Sequence, residues 1–122
     1  MKTILIVDDD NSVQETLSVY IQKFTDYKTV CVEDGEAAID LIKNEKPDLI
    51  LLDIFLPVIG GYALFQDLQK NELTKEIPVI FITGGLVDEV FKQEGLDMGA
   101  VDYITKPFDL DYLIKKINSI LN

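Results

Sequence analysis

The sequence predicts an α/β fold of the (βα)₅ kind: a doubly wound, five-stranded parallel sheet in the flavodoxin-like order 2-1-3-4-5, with helices on both faces. Three observations predict it. Short β-rich runs recur along the 122 residues, at "TILIV", "KTVCV", "DLILL", "PVIFI" and "AVDYI". The segments between them carry apolar residues at helical spacing. The runs are also apolar throughout rather than alternating, which means that both sides of each strand are covered, as in a parallel sheet between two helix layers.

Taken in order, "TILIV" is the first strand, and the first helix follows with Val13, Leu17, Tyr20, Ile21 and Phe24 on one face. Ser12 and Glu15 have the spacing of a capping box at its start. The second strand, "KTVCV", carries the single cysteine, Cys31, at a position facing the core. One thiol excludes an internal disulfide and reads as structural rather than reactive. The third, fourth and fifth strands follow at "DLILL", "PVIFI" and "AVDYI", and the last helix lines up Leu110, Leu113, Ile114, Ile117 and Leu121. No Pro/Ser-rich linker, low-complexity tract or internal repeat divides the chain. A single domain over residues 1–122 is expected, with no effector domain in the chain; the length suits one core and not two.

Charge narrows the function. Asp and Glu number 22 against 11 basic residues, all of them lysine, and the formal charge is -11. The resulting field repels phosphate polyanions, so direct nucleic-acid binding is not expected. The longest uncharged apolar run, residues 54–65, contains Pro57, Gly60 and Gly61 and is too short to span a bilayer; the N-terminus has no cleavable leader pattern. A cytoplasmic protein without membrane contact is expected. The absence of His and of any Cys cluster leaves no ligands for a typical zinc site.

In an open parallel sheet, ligands bind beyond the carboxyl ends of the strands, where the strand order reverses. That rule selects Asp8 and Asp9 after the first strand, Asp53 at the end of the third, Thr83 at the end of the fourth and Lys106 after the fifth. Three carboxylates brought together in a partly dry crevice need a counter-ion. Oxygen-only ligands favour a hard divalent cation, Mg²⁺ above all, with Mn²⁺ possible. Asp10, next in line, belongs to the approach to the first helix, where its charge favours the helix N-terminus. An acidic triplet alone is usually a solvated turn, Thr83 alone an ordinary strand residue and Lys106 alone a surface lysine. Asp53 differs, because a carboxylate enclosed by "LILL" and "IFL" is buried at a strand end.

On these residues the chain resembles the receiver domain of bacterial two-component response regulators, over nearly its whole length. "ILIVDDD" is similar to the family's acidic pair, and "LILLDIFLP" to its phosphoacceptor segment, with Pro57 four residues beyond Asp53. "VIFITGG" is similar to the family's Thr followed by a small residue, and "YITKPFD" to its Lys-Pro-Phe motif. The resemblance implies that Asp53 accepts a phosphoryl group from a phosphohistidine on a sensor histidine kinase or phosphotransfer protein. It implies that Asp8, Asp9, Asp53 and the backbone carbonyl of Phe55 hold Mg²⁺, and that Thr83, Lys106 and the N–H of Gly84 contact the phosphoryl oxygens. It further implies a cis peptide before Pro107, and a switch in which Thr83 moves and Tyr103 turns inward. Tyr103 alone reads as a half-buried strand tyrosine with its hydroxyl in water, which is compatible with the inactive state.

The implied output is a partner-binding surface on the fourth helix, fifth strand and fifth helix, including Val90, Phe91 and Tyr103. It would be read by a downstream protein or effector domain, with the chain a monomer or a phosphorylation-dependent dimer. Such a domain is not an enzyme beyond self-catalysed phosphotransfer and slow autodephosphorylation. Phe55 puts a bulky apolar side chain two residues after the acceptor, where receivers vary widely, and slow hydrolysis of the acyl phosphate is expected from its bulk. Gly84 and Gly85 make the following loop unusually free.

A competing resemblance is to haloacid-dehalogenase phosphohydrolases, in which "DDDNSV" would supply Asp8 as nucleophile and Asp10 as acid/base, with Thr83 and Lys106 as later motifs. The chain is short for that fold, and "DIFLP" would then have no purpose. A flavodoxin-like carrier would need a Ser/Thr/Gly-rich phosphate loop where three acids stand.

Overall fold

In the computed structural model, which describes residues 1–84 and 89–122 and leaves the side chains of Glu89 and Phe91 outside the description, the strands form where the apolar runs lie. The elements are β1 (Thr3–Val7), α1 (Asn11–Phe24), β2 (Lys28–Val32), α2 (Gly35–Asn44) and β3 (Leu49–Asp53). They continue with α3 (Gly61–Lys70), β4 (Val79–Thr83), α4 (Glu89–Asp97), β5 (Asp102–Thr105) and α5 (Leu110–Leu121). The sheet is parallel and ordered β2-β1-β3-β4-β5, as the sequence predicts. β1 and β3, adjacent here, are separated by β2 in the chain, so the crevice between their ends is the switch point.

Successive strand residues face opposite layers. Leu5, Val7, Ile50, Leu52, Val79 and Phe81 enter one apolar cluster with Leu64, Phe65 and Leu68 of α3. Ile4, Ile6, Leu49, Leu51, Ile80 and Ile82 enter a second with Val13, Leu17, Ile21, Leu113 and Ile117 of α1 and α5. Cys31 packs, half-buried, against this second cluster. Three residues of α5 predicted on the apolar face, Leu110, Ile114 and Leu121, only border the core.

Two local expectations are corrected. α1 is not capped by a box at Ser12: the helix starts at Asn11, its N-cap is Asp10, and that carboxylate accepts from the Ser12 N–H at 2.9 Å and the Ser12 Oγ at 2.7 Å. A carboxylate two residues earlier answers both the free N–H groups and the helix dipole, and leaves Ser12 inside the first turn. Asp34 and Asp109 cap α2 and α5 in the same way. Phe24, placed on the apolar face of α1, is 54% exposed. It is the last residue of the helix and packs against Tyr20, the two rings tilted by 44° with centroids 4.6 Å apart.

Candidate functional site

The strand ends build a cleft from the bottom up. Asp8 follows β1 and is fully buried, while Asp53 closes β3 and is 5% exposed; Asp9 is exposed on the rim. One carboxylate oxygen from each lies within 4.8 Å of the other two. The cleft has a volume of about 510 Å³ and is lined by Asp9, Asp10, Asp53, Phe55, Gly84 and Lys106.

The backbone fixes the two buried acids. Asp8 Oδ1 accepts from the Asp10 N–H at 2.9 Å, and Asp53 Oδ1 accepts from the Phe55 N–H at 3.1 Å. The Asp8 carbonyl is held in turn by the Gln14 side-chain amide at 2.6 Å, which also donates to the Val32 carbonyl at 3.1 Å. Among the described residues Asp8 Oδ2 has no hydrogen-bond partner; what it has is the Lys106 ammonium at 3.4 Å. Burial raises the Asp8 carboxyl above its usual range, against the lowering effects of the Asp10 N–H and Lys106. Burial also raises Asp53, opposed by the Phe55 N–H and reinforced by the charge of Asp8. Two buried carboxylates with raised pKa values, joined at the rim by Asp9, form a set of hard oxygen donors whose negative charge exceeds what the Lys106 ammonium offsets. That set fits a divalent cation of the Mg²⁺ type.

Thr83 ends β4 and is buried, and its carbonyl accepts from the Lys106 N–H at 2.9 Å, which fixes β5 to β4 at the cleft. The Lys106 chain then runs over Gly84: a Cβ there would stand 2.9 Å from Lys106 Cδ. The Lys106–Pro107 peptide is cis. The structure therefore brings Asp8, Asp9, Asp53, Phe55, Thr83, Gly84 and Lys106 to one end of the sheet. Asp10 also reaches the cleft wall, with its carboxylate engaged in the cap of α1. Gly85 and the side chain of Phe91 lie outside the described residues.

Tyr103 stands elsewhere. Its hydroxyl is not in water but hydrogen-bonded to the Tyr62 hydroxyl of α3, and its ring lies 5.3 Å from that of Phe81. Sequence reasoning missed Tyr62, as well as Gln14 and Gly61. Gln14 was a polar residue on a helix with no pattern to mark it. Gly61 carried a signal in "GG" before an apolar helix, since a glycine opening a helix invites a packing explanation.

The loop between β3 and α3 forms the outer rim. Phe55 is 56% exposed, and Val58, fully exposed, sits at φ 64° in the centre of a three-residue turn closed by Ile59 N–H to Pro57 O at 2.7 Å. A β-branched residue there is strained, by about 1–3 kcal/mol. Val58→Asn, which tolerates that conformation, is expected to raise stability by about 1 kcal/mol, read as a higher midpoint in urea.

Residues 4–118 match the response regulator receiver domain family. The chain is 41% identical over 120 residues to the phosphate regulon transcriptional regulatory protein PhoB of Pseudomonas aeruginosa, covering 98% of this chain and 52% of that one. It is 35% identical to the DNA-binding dual master transcriptional regulator RpaA of Synechocystis, covering 99% of this chain and 49% of the relative. Among solved structures, the Francisella response regulator 1452 receiver domain superposes with a TM-score of 0.89 at 31% identity, covering 98% and 96% of the two chains. The BeF3-activated N-terminal receiver domain of Klebsiella pneumoniae RstA superposes at 0.88 with 33% identity, covering 99% of each.

The chain belongs to the response regulator receiver family of two-component signal transduction. It spans about half the length of the curated relatives it matches. Among the described residues, no helix is long and apolar enough to cross a membrane.

Proposed function

We propose that Asp53 takes a phosphoryl group from a phosphohistidine of a sensor histidine kinase or phosphotransfer protein. One observation carries the reading: the buried Asp53 carboxylate stands among those of Asp8 and Asp9, with one oxygen of each within 4.8 Å of the others, and Lys106, just past the end of β5, pairs with Asp8. An Asp53 oxygen attacks phosphorus in line. The O–P bond forms as the P–N bond breaks, and the electron pair returns to the imidazole nitrogen. Asp8, Asp9, Asp53 and the Phe55 carbonyl would hold Mg²⁺, with Mn²⁺ as the substitute. The ion's chemistry is charge compensation between an anionic nucleophile and an anionic donor. Lys106, the Thr83 hydroxyl and the Gly84 N–H steady the transferred oxygens.

In this reading the residues form one receiver domain over 1–122, acting in the cytoplasm, monomeric or dimerising on phosphorylation. Its output is the surface of α4, β5 and α5, where Val90 is 70% and Tyr112 45% exposed, offered to a downstream protein or effector domain. DNA contact is not assigned to these residues: RpaA is named as DNA-binding, but the matched half carries here a charge of -11 and no arginine.

The phosphohydrolase alternative is disfavoured by the same geometry. Asp8, its nucleophile, has no exposed surface, and Asp10, its acid/base, is occupied as a helix cap.

The test is incubation with acetyl phosphate, with and without Mg²⁺, followed by mass spectrometry of the modified peptide. Label on Asp53 that requires the cation supports the reading, and label on Asp8, or none, ends it. Phe55, which lines the cleft, limits the approach of water to the acyl phosphate. Phe55→Asn is expected to speed decay of the phosphoprotein about tenfold, roughly 1.4 kcal/mol of barrier; unchanged decay would show that the ring does not gate water.

A further inference from the structure

Four aromatic rings meet between α3, β4 and β5. Tyr62 lies edge-on to Phe81 at 4.8 Å, Phe65 does the same at 5.3 Å, and Tyr103 tilts against Phe81 at 5.3 Å. The Tyr62 and Tyr103 hydroxyls are bonded to each other beneath α4. Space for them exists because residue 95 of α4 has no side chain: a Cβ at Gly95 would fall on the Tyr103 hydroxyl oxygen and stand 2.8 Å from that of Tyr62. A glycine inside a helix weakens it, so its presence calls for a steric reason, and the two hydroxyls supply one.

We infer that Tyr62 is the positioning residue for Tyr103: its hydroxyl, together with the bare backbone at Gly95, latches the Tyr103 ring under α4 before any phosphoryl group arrives. Both phenols are raised above their ordinary range, chiefly by burial, as expected for hydroxyls that bond each other in place of water. Phe81, on which both rings rest, is two residues from Thr83 on the same strand, so the latch adjoins the cleft through β4. The functional consequence rests on the phosphoacceptor reading. With the ring already turned in, phosphorylation changes the α4–β5 surface less than it would in a domain whose tyrosine starts in solvent, and loss of the latch widens that response.

The latch is tested on the unphosphorylated chain labelled with ¹³C at the tyrosine ring ε positions. The Tyr103 signal is assigned by its loss in Tyr103→Phe, and exposure is read by broadening with a soluble gadolinium chelate. In the unsubstituted protein the exposed Tyr112 is expected to broaden and Tyr103 to stay sharp. In Tyr62→Phe, which keeps the ring on Phe81 and removes only the hydroxyl, the ratio of turned-in to turned-out Tyr103 is expected to fall about fivefold, the effect of one net hydrogen bond. Gly95→Ala is expected to expose Tyr103 as well, by occupying the hydroxyls' space. Tyr103 that is equally protected in both variants, or as exposed as Tyr112 in the unsubstituted protein, overturns the latch. No phosphoryl donor enters this measurement. Failure of Asp53 labelling therefore leaves the latch standing, and failure of the latch leaves Asp53 labelling untouched.

Discussion

Alanine at position 61 is expected to destabilise the protein by about 3–5 kcal/mol. Gly61 is buried at the first turn of α3, and its N–H donates to the Ile54 carbonyl at 2.8 Å. A Cβ there would fall on the carbonyl oxygen of Asp53 and lie 2.8 Å from Ile54 Cα. Both obstacles are main chain, so no rotamer change relieves them. Either α3 lifts or the end of β3 moves, and the second outcome displaces the phosphoacceptor itself. Urea unfolding measures the loss. Acetyl phosphate labelling of whatever folded fraction remains measures the displacement, and a variant with unaltered midpoint and labelling would show that the contact is not limiting.

The second large effect runs in the opposite direction. Asp8→Asn is expected to make the metal-free protein more stable, by about 1–3 kcal/mol, roughly 4–10 °C in Tm, while abolishing the stabilisation that added Mg²⁺ confers. The buried Asp8 carboxylate carries an oxygen with no hydrogen bond among the described residues and shares its surroundings with Asp53 and Asp9. An amide keeps the bond from the Asp10 N–H and removes the charge. The ion pair with Lys106 is lost as well, but that ammonium is partly exposed and recovers water.

The same reasoning sets a sign for pH. Asp8 and Asp53 are raised in the folded state above their ordinary value of 3.8, so the unfolded chain holds fewer of these protons. Stability therefore falls as pH rises from about 3.8 through the folded values, and stays at the lower level above them. Without the metal, the wild-type protein should melt at a higher temperature when acidified from neutral towards that window, and Asp8→Asn should show a smaller change. A metal-free variant less stable than wild type at neutral pH would contradict the account of the site as an excess of negative charge.

Most of the fold and the cleft could be read from the sequence because they rest on short-range signals. Apolar runs at fixed spacing gave the strands, and a carboxylate between "LILL" and "IFL" had to be special because burial of a lone acid is costly. Asp8, Asp53, Thr83 and Lys106 all sit at strand ends, where the topology rule looks. What escaped notice depends on contacts far apart in the chain. The tie between Tyr62 and Tyr103 spans 41 residues and needs a missing side chain at position 95 to exist. Gln14 reaches the carbonyl of Val32 across 18 residues, and nothing in its neighbourhood announces that. The cap of α1 was misplaced for a local reason: a serine with a glutamate three residues on competed with an aspartate already assigned to the approach to that helix.

β1, β3 and β4 are hidden along nearly their whole length, with apolar residues on both sides. Sliding one of them by a single residue would exchange its two faces without exposing anything oily, so the hydrophobic pattern by itself specifies alignment weakly. The acids and the hydroxyl at the strand ends supply what the pattern lacks. A slip that drew Asp8, Asp53 or Thr83 inward would strand a polar group in hydrocarbon, at roughly 2–7 kcal/mol each. The residues that make the cleft inhospitable to its own negative charge thus also serve as stops that let the strands pair in one way only.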